Sequence, residues 1–243
     1  MEILKNILSR IEQDAVVGEI LRGLYWTAVV SRFCGLSSTL FRDCDQEHTD
    51  NAGPFPLTGG NACDLAQLCL SPDIGKASLG LAAINSLVRP DSSRCTEVNA
   101  GDILMEKSRG KNVSIIGHFP FVDDLKGVAK NLWVIEKWQK PGDYPEEDAE
   151  TYLPQSDIIA ISSTTLINHT LEDLLPLCPE KSYKMLLGPT TPMTDILFSY
   201  GIDIISGSQV TDTDLALTYI KQGANFRQLK RSGAIKLLSM VRQ

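Results

Sequence analysis

His118 is the residue whose type and position most directly suggest chemistry. It follows an apolar, mostly β-branched run at residues 113–117, which is typical of a buried strand, and Pro120 precedes the next helical pattern. At the end of the first strand of an α/β sheet, a side chain stands at the mouth of the ligand crevice. An imidazole there can act as a general base or as a metal ligand. The alternative is that His118 donates to a backbone carbonyl and only holds the turn.

Glu136 lies nineteen residues after Gly117, at the end of a second apolar run. In dinucleotide-binding folds, an acid at about this interval binds the ribose hydroxyls. The glycine fingerprint of those folds is absent, however, and the bulky Phe119 and Pro120 would keep a pyrophosphate away from the following helix. Ordinary NAD binding is therefore disfavoured, whereas a smaller ligand or a nucleoside such as S-adenosylmethionine stays open. The pattern fits a surface acid at a strand end equally well.

Two loops rich in hydroxyl residues follow later predicted strands, at residues 162–165 and 188–191. Backbone N–H groups at helix starts, with hydroxyls beside them, suit a phosphate or a carboxylate, although the same residue types are good helix caps. Asn85, in a predicted helix of small and apolar residues, either caps a neighbouring turn or faces a ligand cleft. The candidate ligand-binding residues are Gly117, Phe119, Pro120, Glu136, Ser163, Thr164, Thr165, Asn168, Gly188, Pro189, Thr190 and Asn85.

His169 is a second candidate metal ligand beside His118. A structural role competes with this, because Thr170 and Asp173 have the spacing of a capping box at a helix start. The sequence leaves the cofactor open, and a divalent metal ion is the candidate that these two histidines favour.

The elements that would position these residues form two groups. Residues 89–94 are polar and contain a proline break, so we predict a small α+β domain over 1–95 and an α/β domain over 96–243. The first domain is expected to contain a helix at 2–13, antiparallel strands at 16–22, 25–31 and 35–41, a polar loop at 43–61, and helices at 63–70 and 76–88.

The second predicted domain is a doubly wound parallel sheet, because apolar runs alternate with helical patterns. Strands are expected at 113–117, 131–136, 157–161, 183–187 and 202–205, and helices at 99–109, 167–175, 193–200 and 214–221. In this arrangement the glycine and hydroxyl residues fall on one edge of the sheet. The proline-rich and acidic connection at 139–155 would cross that edge as a lid.

Composition excludes some classes of partner. The net charge of -7 disfavours nucleic acid and anionic membrane, which both attract basic surfaces. The amphipathic start, without a signal peptide, and the six cysteines without a Cys-x-x-Cys pair predict a cytoplasmic protein with free thiols. The oligomeric state stays open, and a homo-oligomer is compatible. The basic residues Arg227, Lys230, Arg231, Lys236 and Arg242 are interpreted as a solvated helix face.

Three segments, at residues 116–121, 161–172 and 187–193, resemble the prokaryotic family of unknown function named "Putative heavy-metal chelation". The resemblance covers nearly the whole chain. It implies an enolase-N-terminal-like domain followed by a Rossmann-like domain, with the ligand site between them. The chain has no thiolate cluster of the kind that soft metals prefer, so a metal would depend on His118, His169, Glu136 or loop acids.

Three hypotheses about function follow from these observations. In the first, an inter-domain cleft binds a metal ion or a metal-chelating anionic small molecule, with His118 as ligand or base. In the second, the protein is an enzyme that uses a nucleoside-type cofactor, S-adenosylmethionine or a dinucleotide, with Glu136 on the ribose. In the third, it is a non-catalytic assembly protein. The sequence does not decide whether the chain is an enzyme.

Overall fold

The computed structural model describes residues 1–40 and 57–243, so Cys44, His48 and most of the predicted polar loop lie outside the described residues. The predicted division into 1–95 and 96–243 stays a prediction. The chain forms two compact units, the first from Met1–Pro90, Pro192–Thr194 and Ser208–Lys236, and the second from Asp91–Thr191, Asp195–Gly207 and Leu237–Gln243.

The first unit begins with an amphipathic helix and a three-stranded antiparallel sheet, as the sequence predicts. Helix α1 buries Ile3, Leu4 and Ile7 and is shorter than predicted, because Arg10 already leaves the helical conformation at φ -100° and ψ 3°. The strands lie side by side in chain order and are joined by tight connections. The bounds are α1 Glu2–Ser9, β1 Glu19–Arg22, β2 Trp26–Val30 and β3 Cys34–Ser38.

Two helices pack against this sheet: α2 (Ala62–Ala66), which continues into a 3-10 turn, and α3 (Ile74–Leu87). The small residues of α3 predicted close packing, and the backbone contacts confirm it. A Cβ atom on Gly35 would overlap the backbone of α3, and one on Gly80 would overlap the backbone of Cys69. Helix α3 therefore approaches its neighbours as closely as backbones allow.

The larger sheet has seven strands in the order β4-β10-β9-β8-β7-β5-β6. Strands β5 to β9 are parallel, and β4 pairs with β10 in the antiparallel direction. Numbered along the chain, the five parallel strands lie in the order 2-1-3-4-5. The bounds are β4 Cys95–Thr96, β5 Asn112–Ile116, β6 Asn131–Ile135, β7 Ile158–Ser162, β8 Tyr183–Leu187, β9 Ile204–Val210 and β10 Ile235–Val241.

This strand order contains a topological switch point. From β5 the chain moves first to one side, to β6, and then to the other, to β7, so the topological switch point lies between β5 and β7. In open parallel sheets, ligands bind beyond the carboxyl ends of the strands at such a point. The mixed α/β architecture confirms the predicted fold class.

The helices between the strands are shorter than the sequence predicts. The predicted helix at 167–175 is a four-residue α7 followed by the 3-10 turn Leu175–Leu177, because Pro176 removes a backbone donor. The predicted helix at 193–200 is the 3-10 turn Asp195–Tyr200. The bounds are α4 Ala100–Lys107, α5 Val122–Leu125, α6 Ala149–Tyr152, α7 Leu171–Leu174, α8 Thr213–Lys221 and α9 Phe226–Arg231.

Two local interpretations of the sequence are wrong. The capping box at Thr170 does not form, because the Thr170 hydroxyl donates instead to Asn168 Oδ1 at 2.8 Å. The basic residues near the end do not share one helix. Arg227, Lys230 and Arg231 lie on α9, but Lys236 is in β10, and Arg242 follows that strand and pairs with Asp203 at 3.2 Å.

The core of the sheet in the second unit consists of β-branched and aliphatic side chains under short helices. The buried cluster contains Leu104, Val113, Ile115, Val122, Leu125, Val134, Ile158, Ala160, Met185, Leu187 and Ile204.

None of the helices in the described part of the chain is long and apolar enough to cross a membrane.

Candidate functional site

The carboxyl ends of β5, β7 and β8 lie next to one another, and two glycines allow them to approach closely. Gly117 after β5 has φ 99°, and Gly188 after β8 has φ 129°. A Cβ atom on Gly117 would lie 2.9 Å from Ser162 Cβ, and one on Gly188 would lie 2.7 Å from Ser163 Oγ. The predicted residues Gly117, Ser163 and Gly188 are therefore brought together at the switch point.

His118 follows Gly117 and is fixed by a partner that sequence reasoning missed. Its Nδ1 lies 3.1 Å from Asp143 Oδ2, and the exposed fractions of the two side chains are 24% and 5%. An ionised carboxylate can only accept, so His118 donates from Nδ1, and the Nε2 atom of the neutral ring keeps its lone pair. Carboxylates orient histidines in this way both in metal sites and in catalytic dyads.

Asp143 is held in place by its own turn. Its Oδ2 also accepts from the backbone N–H of Lys140 at 3.0 Å, and its N–H donates to Lys140 O at 2.9 Å. The next residue, Tyr144, lies beside β6 and donates its N–H to Val134 O at 2.7 Å. The predicted lid segment is thus anchored along the edge of the sheet at this point, and its anchor carries the carboxylate to His118.

The charges around His118 are of both signs. Lys126 Nζ donates to Asp123 Oδ1 at 2.8 Å, and this hydrogen bond lowers the pKa of the Asp123 carboxyl, with smaller contributions from the charges of His118 and Lys140. The same bond raises the pKa of Lys126, to which the charge of Asp143 also contributes. Because Asp123 and Lys126 are exposed, solvent and salt screen these effects.

Several hydroxyls of the two predicted loops form hydrogen bonds within their own loops. Ser162 Oγ accepts from the N–H of Thr164 at 3.3 Å and lies 2.8 Å from Thr164 Oγ1. The Thr165 hydroxyl donates to Ser162 O at 2.6 Å. In the second loop, the Thr191 hydroxyl lies 2.7 Å from Gly188 O. Ser162 therefore caps the following 3-10 turn, whereas the Thr165 and Thr191 hydroxyls bond to carbonyl groups of their own loops.

Glu136 and Asn85 have local partners. Glu136 Oε1 accepts from the N–H of Lys137 at 2.8 Å, so this oxygen is turned toward its own chain. The nucleoside hypothesis for this residue stays a prediction. Asn85 Nδ2 donates at 2.8 Å to Leu36 O, a backbone carbonyl in the middle of β3.

His169 has a backbone conformation that is uncommon for a residue with a side chain, at φ 63°. It ends the turn after β7, where the N–H of Thr170 bonds to Thr165 O at 3.0 Å. Among residues 1–40 and 57–243, no three or more His, Cys, Asp or Glu side chains are grouped so that they could hold a metal ion. His118 and His169 therefore stay predicted metal ligands without a common cluster.

The thiols of the described cysteines have raised pKa values. Burial raises the pKa of Cys34 and Cys69 to about 12, and it is the main reason why the pKa values of Cys63 and Cys178 rise to about 11. Burial also raises the pKa of Cys95. In the absence of a metal, these side chains are therefore neutral thiols at neutral pH.

The chain is thus a two-unit α/β protein in which an oriented histidine follows the strand beside a topological switch point. The chain belongs to the DUF364 family, described as "Putative heavy-metal chelation", whose model matches residues 99–239. A second family model with the same description, DUF4213, matches residues 4–88.

Similar proteins cover the whole length of the chain. The uncharacterized protein MJ0500 of Methanocaldococcus jannaschii is 28% identical over 97% of this chain and 93% of its own. A DUF364 protein of unknown function from Desulfitobacterium hafniense is 27% identical, with a TM-score of 0.82 over 99% of this chain and 97% of its own. Another, from Pyrococcus horikoshii, is 21% identical and shares the fold, with a TM-score of 0.83 over 99% of this chain and 98% of its own.

Proposed function

We propose that the chain binds a small, anionic, metal-coordinating ligand at the carboxyl edge of its parallel sheet, with His118 facing the ligand. The observation that carries the proposal is the 3.1 Å hydrogen bond between His118 Nδ1 and Asp143, formed at the switch point. It leaves Nε2 as the free ring nitrogen, and this atom can accept a proton or bind a metal. The family description supports a ligand connected with metal chelation.

The loops beside His118 supply groups for the anionic part of the ligand. The hydroxyls of Ser162 and Thr164 have two protons between them and use one in their mutual 2.8 Å bond. The second proton can therefore be donated to a carboxylate or phosphate oxygen. Ser163, which lies against Gly188, is the other hydroxyl that we assign to this role.

The first test is elemental analysis of tag-free protein after equilibrium dialysis against divalent metals, with citrate present as a metal-coordinating anion. We expect near-stoichiometric metal in the wild type and its loss in His118→Ala, without a large change in melting temperature. His48→Ala removes a histidine that we do not assign to the site and is the matched control. Equal retention in His118→Ala and wild type would contradict the proposal.

Asp143 gives a second, graded test of the same site. Asp143→Ala removes the acceptor that orients His118, so ligand retention should fall by about 10- to 100-fold, as for other carboxylates behind a ligating histidine. Asp143→Asn should lose less, because its amide oxygen can take the place of Oδ2, which accepts from both His118 and Lys140. If a folded Asp143→Ala variant keeps wild-type retention, Asp143 does not position the histidine.

A further inference from the structure

The donors in the described part of the chain do not suffice to chelate a bare metal ion. In residues 1–40 and 57–243, no group of three or more His, Cys, Asp or Glu side chains could hold a metal ion. Structural metal sites in proteins have about four protein ligands, and catalytic ones about three. Because Asp143 takes Nδ1 of His118, Nε2 is the nitrogen of this ring that keeps its lone pair. A bare ion there would keep most of its coordination positions unfilled by protein.

The groups beside His118 are hydrogen-bond donors and not metal ligands. The hydroxyl pair of Ser162 and Thr164 at the end of β7 can donate one proton to a negatively charged oxygen atom, and hydroxyls are not ligands for soft metals. A site with one nitrogen donor and several hydrogen-bond donors is matched by a metal that already carries a carboxylate chelator. The chelator fills the coordination positions that the protein leaves open, and its outer oxygens accept the hydrogen bonds.

We infer that metal binds at this edge only as a preformed complex with a small polycarboxylate chelator, and that His118 supplies the single protein donor atom. The inference rests on the proposed function and names its ligand class, a metal chelate with at least one open coordination position. Under this inference the protein recognises a chelate and does not itself chelate, in contrast to the family description.

Three nickel probes separate the alternatives in equilibrium dialysis of the full-length, tag-free protein. Bare Ni²⁺ has all its positions open, the nitrilotriacetate complex is tetradentate and keeps open positions, and the EDTA complex is hexadentate and keeps none. We expect the nitrilotriacetate complex to be retained at least about tenfold more than either of the others, and at least about tenfold less in His118→Ala, as when a metal ligand is lost. Metal-free nitrilotriacetate is dialysed in parallel.

The outcomes also distinguish this inference from the proposed function. Stoichiometric retention of bare Ni²⁺ that is lost in His118→Ala would overturn the inference and leave the proposed function standing. Equal retention of the EDTA complex, or of metal-free nitrilotriacetate, would show that no bond from His118 to the metal is needed. If His118→Ala changes the retention of none of the probes, the proposed function fails as well. The last outcome concerns the double variant Cys44→Ser/His48→Ala. If this variant loses metal retention while His118→Ala keeps it, the donors lie in residues 41–56, and this result would contradict the inference.

Discussion

Glycines allow a close approach between elements in both units, but the backbone conformations of these glycines differ. In the first unit, Gly35 lies in the middle of β3 and brings that strand against the backbone of α3. In the second unit, Gly117 and Gly188 lie just beyond strand ends and have positive φ angles of 99° and 129°. A glycine inside a strand joins two elements of the core, whereas one beyond a strand end shapes the turn at the ligand edge.

The hydroxyls differ in the same way. Between the small sheet and α3, the Ser37 hydroxyl donates to Ser78 O at 2.7 Å, and the Ser78 hydroxyl donates to Ser38 O at 2.6 Å. Both protons are used inside the core, as buried hydroxyls require. At the end of β7, the hydroxyl pair of Ser162 and Thr164 keeps one proton for another acceptor. Only the second setting leaves a group for a ligand.

Gly35→Ala should have the largest effect on stability, and it should have no specific effect on ligand binding. Its Cβ atom would overlap backbone atoms of Ala82 and Ser86, which cannot move without shifting α3. We expect a loss of at least about 3 kcal/mol in the free energy of unfolding, measured by denaturant titration. Gly18→Ala is the control, because its Cβ atom would meet Val30 O at an ordinary 3.6 Å. Similar stabilities of the two variants would contradict the close contact.

Gly117→Ala should lower the stability of the protein less than Gly35→Ala does, but it should lower ligand binding more. The positive φ and the 2.9 Å approach to Ser162 Cβ together should lower the free energy of unfolding by about 1–3 kcal/mol. Because the turn carries His118, retention of the metal chelate should fall in the folded variant. Gly201→Ala has a comparable φ of 80° with no atom within 4 Å of its Cβ, so it isolates the backbone cost. If Gly117→Ala retains as much metal chelate as the wild type, this turn is not part of the ligand site.

The sequence predicted those parts of the fold that rest on periodicity. Apolar runs alternating with helical patterns identified the five parallel strands, and His118 was expected at a ligand crevice because it follows the first of them. Strand β4 has only two residues, and β10 begins beside a basic segment that was interpreted as helical, so both were missed. One short 3-10 turn arises where Pro176 interrupts a helical pattern, and periodicity alone does not reveal such an interruption.

Asp143 shows why the site was harder to predict than the fold. It bonds to His118 across 25 residues of sequence, through a connection whose path is set by the hydrogen bonds of Tyr144 to β6. No spacing rule relates two such residues. The only local signal was an acid after Pro141 and Gly142, where a tight turn follows the end of a strand. That signal marks a turn and does not indicate the partner of its carboxylate.

Substitution of His169 should have the smallest effect on stability. It also tests how many protein donors bind the metal. It is the non-glycine residue with positive φ in the described part of the chain, and glycine adopts that conformation without steric cost. His169→Gly should therefore be more stable than His169→Ala by up to about 1 kcal/mol, because both lack the imidazole ring and only alanine keeps the strain. Thermal melts of the two variants measure this difference, and equal melting temperatures would contradict it. Chelate retention then reports on the ring: a loss common to both variants would make His169 a second donor, whereas retention in both agrees with His118 alone.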